Sequence, residues 1–186
     1  MSDNVNENVE LDIDIHAIVD AIDEKKASEF YKENSAEAEE ILKDEAKMEE
    51  LIEKVDEVYK TVPASETALS YIPLMMSLVK DHVKKEYTKT SQASMVSVVV
   101  ALMYFVSPLD LIPDTIPMAG YVDDAVVISG CLALIRDEIE EYIAWSKDNG
   151  QDFGDIPDYD EIIKESKEHD KLAKAFFKGK KSAGKK

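Results

Sequence analysis

The sequence predicts an all-α fold, a small helical bundle built round a central apolar helical hairpin, with amphipathic helices before and after it. Over most of the chain, apolar residues recur three and four positions apart, which is the spacing of one face of an α-helix. No window combines alternating apolar and polar residues with hairpin turns, apart from the ambiguous run VSVVV at 96–100. Residues 90–109 contain no charged side chain, so the helix predicted there is enclosed by apolar surroundings.

Three amphipathic helices are predicted before the hairpin. The first spans about residues 14–33, and the second spans about 35–60, with Ser35 as its N-cap and glutamates opposite its apolar face. The third follows the apolar spacing from about 66 to 87 and contains Pro73. Because proline cannot continue the helical hydrogen-bond ladder, either this helix kinks at Pro73 or it begins near Tyr71.

The hairpin has two uncharged arms joined by a proline-rich loop. The first arm is apolar on every side from Met95 to Val106, so it is buried either in protein or in lipid. The prolines end that arm, and Asp123 and Asp124 are predicted as an N-cap pair for a helix that runs to about Lys147. A turn-rich linker follows, and a last amphipathic helix is predicted over about 159–178.

The chain is predicted to have three regions, 1–60, 61–147 and 148–186, and its charge is unevenly distributed among them. The 186 residues carry 22 Lys and Arg against 40 Asp and Glu, a net charge of −18. Residues 171–186 carry seven lysines and no acid, so the rest of the chain has a net charge of −25. Such a polyanion is a poor ligand for nucleic acid, and we expect no nucleic-acid partner.

The cysteine count and the N-terminal sequence predict an intracellular protein. The chain has one cysteine, no CxxC pair and no histidine–cysteine pair at ligand spacing, which argues against disulfides and zinc. The first residues are acidic, whereas a secretory signal is basic and then apolar. Because no nucleotide-binding or hydrolase motif occurs, we expect no enzyme activity and no cofactor other than a divalent cation.

Residues 101–128 carry a motif of prolines and acids between the two apolar arms. An apolar helix ending in tyrosine is followed by Ser-Pro-x-Asp-x-Ile-Pro-Asp, an Ile-Pro pair, a glycine and two aspartates. The matching positions are Tyr104, Ser107, Pro108, Asp110, Ile112, Pro113, Asp114, Ile116, Pro117, Gly120, Asp123 and Asp124. The motif resembles that of the YkvA-like family, a domain of unknown function (DUF1232). The resemblance implies an all-helical module over 61–147 whose members are often membrane-associated and have no established reaction.

Four aspartates of this motif are the candidate metal ligands: Asp110, Asp114, Asp123 and Asp124. Carboxylates on a loop fixed by prolines are suited to a hard cation such as Mg²⁺ or Ca²⁺. The alternative role is structural, because aspartates in turns and at helix starts accept hydrogen bonds from backbone N–H groups. The sequence favours the structural role and leaves the cation site open.

The apolar hairpin has three interpretations, a buried protein core, a shallow insertion into a membrane interface, or a full membrane span. The run Met95–Val106 gives about 18 Å of helix, and the returning run 125–135 gives about 17 Å. The apolar core of a bilayer is about 30 Å thick. The lengths therefore favour the buried core first, the interfacial insertion second and the full span last.

The C-terminal segment is a candidate lipid contact because it joins two phenylalanines to a group of lysines. The candidate residues are Lys171, Lys174, Phe176, Phe177, Lys178, Lys180 and Lys181. Aromatic rings enter the headgroup region while each lysine near an anionic surface contributes about 1 kcal/mol. The alternative is a solvated tail that folds back on the acidic body.

These observations predict a non-enzymatic helical domain that is membrane-associated rather than freely cytoplasmic and acts through association with lipid or protein. The expected partners are a membrane surface or a protein, and a homo-oligomer also fits the sequence. The alternative function is a domain that binds a cation or a small ligand through its Asp-rich loop.

Overall fold

The computed structural model describes residues 24–62, 68–108 and 122–156, together with Lys174 and Phe177. Within these residues the chain forms six α-helices and one 3₁₀ turn, and it forms no strand. The helices are α1 (Glu24–Ile41), α2 (Glu45–Tyr59), α3 (Ile72–Val83), α4 (Gln92–Phe105), α5 (Val122–Leu134) and α6 (Arg136–Asp148), and the 3₁₀ turn (Ala68–Tyr71) precedes α3. The predicted all-α bundle is confirmed for the described part of the chain.

Helix α4 lies at the centre of the bundle. Helices α1, α2, α3 and α5 all pack against it, and its run from Ser94 to Leu102 is buried at every position. Helix α5 packs beside α4, and its residues from Val126 to Leu132 are buried as well. The apolar hairpin is thus a protein core in this structure, and VSVVV belongs to a helix.

The predicted helix over 35–60 with Ser35 as its N-cap is wrong, because two helices occupy this stretch. Ser35 lies inside α1, where its hydroxyl donates to the carbonyl of Tyr31. The chain leaves the helix after Ile41, and Asp44 caps α2 by accepting hydrogen bonds from the backbone N–H groups of Ala46 (3.0 Å) and Lys47 (3.2 Å). Asp44 has extended backbone angles, as an N-cap requires. The boundary near residue 34 predicted for the first helix is wrong for the same reason.

Two further helix boundaries were predicted from proline and from the aspartate pair. Pro73 lies in the first turn of α3, which begins at Ile72, so the predicted start near Tyr71 is confirmed and the kink is not observed. The single helix predicted from Asp123 to about Lys147 is divided at Ile135, which leaves the helical conformation and is 1% exposed. The break directs Ile135 into the core.

The acidic N-terminal helices and the hairpin share one core. The hydroxyl of Tyr31 on α1 lies 3.2 Å from the hydroxyl of Ser97 on α4, and both side chains are buried. Lys89, just before α4, lies with its Nζ 2.7 Å from Glu141 Oε1 of α6. The backbone N–H of Ser91, the N-cap of α4, donates to Glu138 Oε1 of α6 at 3.0 Å. The helix predicted over 159–178 lies outside the described residues, apart from Lys174 and Phe177.

Candidate functional site

The motif of residues 101–128 begins at the C-terminal end of α4. Tyr104 is 1% exposed, and its ring packs edge-on against that of Phe30 on α1, with the centroids 5.3 Å apart. Helix α4 ends at Phe105, and the backbone N–H of Ser107 donates to the carbonyl of Tyr104 at 2.9 Å. Pro108 follows and is exposed. The first residues of the motif therefore fix the end of α4 beside α1.

A groove of about 610 Å³ lies beside this end of α4, and we call it the α1–α2 groove. Its floor is apolar and consists of Phe30, Ile41, Leu51, Met103 and Val106. Its rim is charged and carries Glu33, Glu37, Glu40, Glu50, Lys47 and Lys54. Ser107 also lines the groove, so the groove reaches the first residues of the motif.

Both lysines of the rim form close ion pairs with glutamates of the rim. Lys47 Nζ lies 2.6 Å from Glu40 Oε2, and Lys54 Nζ lies 2.7 Å from Glu50 Oε1. The hydrogen bonds and charges of these pairs lower the pKa of each glutamate and raise the pKa of each lysine. Because four glutamates share the rim with two lysines, the groove keeps an excess of negative charge.

Glu33 and Glu37 of α1 are the rim glutamates without a close ion pair, and the charge of Glu37 also acts on Lys47 and Lys54. Both glutamate side chains are exposed, and within the described residues no cationic group lies within 4.0 Å of either carboxylate. An apolar floor below such carboxylates suits a segment rich in lysine or arginine, because the aliphatic stems cover apolar surface while the charged ends meet the acids. The geometry of the α1–α2 groove is therefore suited to association with a basic segment.

A second groove, of about 440 Å³, lies between α2 and α3, and we call it the α2–α3 groove. Its charged lining consists of Glu49, Glu53, Asp56, Lys80 and Lys84. With three acids and two lysines, its charge is closer to balance than that of the α1–α2 groove. It offers a matched control for experiments on the first groove.

A buried polar cluster joins α3 to α6, and no sequence pattern indicates it. Asp81 is 6% exposed, and its Oδ2 accepts hydrogen bonds from Tyr142 Oη (2.6 Å) and Gln151 Nε2 (3.1 Å). Burial and the hydrogen bond to this carboxylate raise the pKa of Tyr142. Gly150, with φ +75°, turns the chain after α6 so that Gln151 reaches Asp81. The partners of Asp81 lie 61 and 70 positions away, beyond any local pattern.

Aromatic rings enclose this cluster on the side of α6. The ring centroids of Tyr87, Trp145 and Phe153 lie 5.0, 5.7 and 6.5 Å from that of Tyr142. Buried carboxylates need hydrogen-bond donors, and Asp81 obtains them from two segments that follow it in sequence. The cluster is therefore a structural link between α3, α6 and the segment after α6.

The predicted cation site falls mostly outside the described residues. Outside them lie Asp110, Ile112, Pro113, Asp114, Pro117 and Gly120. Asp123 and Asp124 lie in the first turn of α5, and Asp124 is half-buried. In the described ranges, no three His, Cys, Asp or Glu side chains are grouped so that they could hold a metal ion. The cation site stays a prediction.

The predicted lipid-contact residues are described at two positions only. Lys174 is exposed, whereas Phe177 is 4% exposed and packs edge-on against Tyr31 of α1, with ring centroids 5.6 Å apart. The other candidates lie outside the described residues: Lys171, Phe176, Lys178, Lys180 and Lys181. In this structure the Phe177 ring faces the protein core, and the lipid contacts predicted for the other residues stay predictions.

None of the helices in the described ranges is both long enough and apolar enough to cross a membrane. The longest, α1, has 18 residues and is rich in charge, and the uncharged α4 has 14. A helix needs roughly 20 apolar residues to span the bilayer core. The apolar character of the hairpin is used inside the bundle.

Comparison with known proteins agrees with the motif. The model of a family described as a protein of unknown function (DUF1232) matches residues 94–130, which include most of α4 and the first part of α5. The Uncharacterized membrane protein YkvA of Bacillus subtilis (strain 168) is 30% identical over 77 residues, which cover 41% of this chain and 73% of that protein. No solved structure matches the chain. The chain thus belongs to the YkvA-like family of proteins of unknown function, DUF1232.

Proposed function

We propose that this protein is a non-enzymatic helical module that associates with an anionic membrane surface through its Lys-rich C-terminal segment. The observation that supports a contact through surface groups is the burial of α4 at every position from Ser94 to Leu102, which leaves this apolar run unavailable to lipid. The relative from Bacillus subtilis is called a membrane protein. If this chain shares that location, its contact with lipid falls to surface groups.

The lysines after Phe177 are the surface groups best suited to such a contact. Five lysines and no acid lie between this anchored ring and Lys186. At about 1 kcal/mol for each lysine near an anionic surface, their summed attraction supports peripheral binding. A peripheral contact of this kind needs no helix that spans the bilayer.

The acidic body is expected to stay away from the membrane in the proposed contact. With a net charge of −25 outside residues 171–186, the body is repelled by the same anionic surface that attracts the lysines. The Debye length at physiological ionic strength is about 8 Å, so the repulsion acts only close to the membrane. The segment then binds lipid while the bundle stays in solvent.

Sedimentation with phosphatidylcholine vesicles, with and without phosphatidylserine, tests the proposal. In the tail variant, glutamine replaces the lysines after Phe177: Lys178, Lys180, Lys181, Lys185 and Lys186. In the control variant, glutamine replaces five exposed lysines of the bundle: Lys25, Lys26, Lys32, Lys43 and Lys85. Both variants lose the same charge, so a difference between them reports the position of the lysines.

We expect the native chain to bind vesicles that contain phosphatidylserine and to be released by high salt. Because each of the five lysines contributes about 1 kcal/mol, the tail variant should bind on the order of several thousandfold more weakly. The control variant should bind within a fewfold of the native chain. Equal binding by the two variants, or binding to phosphatidylcholine alone, contradicts the proposal.

A further inference from the structure

We propose that the α1–α2 groove is the resting site of the chain's own Lys-rich segment, residues 178–186, and that anionic lipid competes with the groove for this segment. The competition with lipid rests on the proposed function, whereas the docking in the groove does not. The bundle would then hold the lysines against its own acidic face until a surface of denser negative charge is present.

The position of Phe177 brings the segment to α1. Its buried ring packs against Tyr31, and the preceding residue, Phe30, forms part of the groove floor. The segment after Phe177 therefore starts beside α1, the helix that also lines the groove. No long linker separates the anchored ring from the proposed site.

The remaining chain is long enough to reach the groove. Nine residues follow Phe177, and an extended chain covers at most about 3.3–3.6 Å per residue, or roughly 30 Å in all. An α-helix with its side chains is about 10–12 Å across. The segment can thus pass round α1 and still place several lysines along the groove.

The charge and the surface of the groove complement this segment. Glu33 and Glu37 have no ion pair with other described residues and stand above an apolar floor. The segment offers five lysines, whose aliphatic stems suit that floor and whose ammonium groups suit the carboxylates. The α2–α3 groove is lined by three acids and two lysines, against four acids and two lysines in the α1–α2 groove, so a lysine segment gains less there.

Carbodiimide cross-linking of the full chain without lipid tests the docking directly. The reagent joins a carboxylate to an amine with no spacer, and mass spectrometry identifies the joined peptides. We expect monomeric products that join lysines of 178–186 to Glu33 and Glu37 in large excess over products with Glu49 and Glu53. Cross-links spread evenly over the acids, or concentrated on the α2–α3 groove, overturn the docking.

Vesicle binding by two matched variants tests the competition. Glu33→Gln with Glu37→Gln removes two charges from the α1–α2 groove, and Glu49→Gln with Glu53→Gln removes two from the α2–α3 groove. Two exposed ion pairs contribute about 0.2–1 kcal/mol each, so the first variant should bind phosphatidylserine vesicles about two- to thirtyfold more tightly than the second. Equal binding by the two variants overturns the competition.

The two experiments separate this inference from the proposed function. If the chain binds no vesicle but forms the expected cross-links, the proposed function fails and the docking stands. If the chain binds vesicles through its lysines but forms no cross-links to Glu33 and Glu37, the docking fails and the proposed function stands.

Discussion

Helices α4 and α2 lie in the same bundle but differ in how much of their surface the bundle covers. Helix α4 carries no charged residue and is buried at every position from Ser94 to Leu102. Helix α2 carries six acids and two lysines and buries one face, formed by Met48, Leu51, Ile52 and Val55. The difference shows that α4 supplies apolar burial for stability, whereas α2 supplies both a buried face and a charged surface, which is the part that the proposed association would use.

Core substitution in α4 should have the largest effect on stability. Leu102 is 0% exposed, and Leu102→Ala removes buried methyl groups and leaves a cavity, which costs about 2–5 kcal/mol. Leu134 at the end of α5 is 45% exposed, so Leu134→Ala should change stability by no more than about 0.5 kcal/mol. Urea unfolding followed by circular dichroism measures both. Similar losses in the two variants would show that the hairpin is not enclosed as described.

The Asp81–Tyr142 pair makes the free energy of unfolding depend on pH in the alkaline range. The pKa of Tyr142 is raised in the folded protein, whereas an unfolded tyrosine releases its proton near about pH 10. The stability that depends on this proton is therefore fully present below about pH 10 and is lost as the pH rises further, by at most about 1.4 kcal/mol per pH unit. Burial also raises the pKa of Tyr31 and Tyr87, which adds to the decline.

Tyr142→Phe should reduce both the stability and its dependence on pH. Near neutral pH the variant loses the hydrogen bond to Asp81, which costs about 1–3 kcal/mol because a buried acceptor loses a donor. Above about pH 10 its free energy of unfolding should fall less steeply than that of the native chain. Phe105→Leu, a buried change without a titrating group, is the control and should keep the native slope. If the free energy of unfolding of Tyr142→Phe fell with pH as steeply as that of the native chain, Tyr142 would not be the group responsible.

Local patterns predicted the elements that depend on nearby residues. The absence of charge over 90–109 identified the buried helix α4, and Pro73 marked the start of α3. The apolar spacing continues across the break at Asp44, so it does not reveal that α1 and α2 are separate helices. Neither glycine nor proline stands at Ile135, so no local signal in the sequence marks that break.

The candidate site was less predictable because it depends on packing between distant segments. The α1–α2 groove is formed by α1, α2 and the end of α4, where Met103 and Val106 lie. Which of its acids lack a close ion pair follows only from the structure, in which Lys47 pairs with Glu40 and Lys54 with Glu50. Phe177 was predicted to contact lipid because an aromatic residue beside lysines is typical of membrane anchors. The same apolar ring can also enter the core, and sequence alone does not distinguish these outcomes.

Asp124 lies in the first turn of α5, just before the part of this helix that carries no charge, and its charge should have the smallest effect on stability. A negative charge in the first turn interacts favourably with the helix dipole. Asp124→Asn should lower the free energy of unfolding by about 0.3–1 kcal/mol. Asp137→Asn, in the first turn of α6, is the matched control and should cost a similar amount.

Calorimetric titration with Mg²⁺ and Ca²⁺ distinguishes this structural role from the predicted cation site. If the aspartates stabilise the start of α5 through charge alone, the native chain gives no saturable heat and the effect of Asp124→Asn is the same with cation or chelator. A saturable heat that is lost in the double variant Asp123→Asn with Asp124→Asn, but retained in Asp137→Asn, would instead establish a cation site. The start of α5, which belongs to the buried hairpin, would then bind a ligand. The contrast between a core that supplies stability and charged helices that supply association would no longer hold.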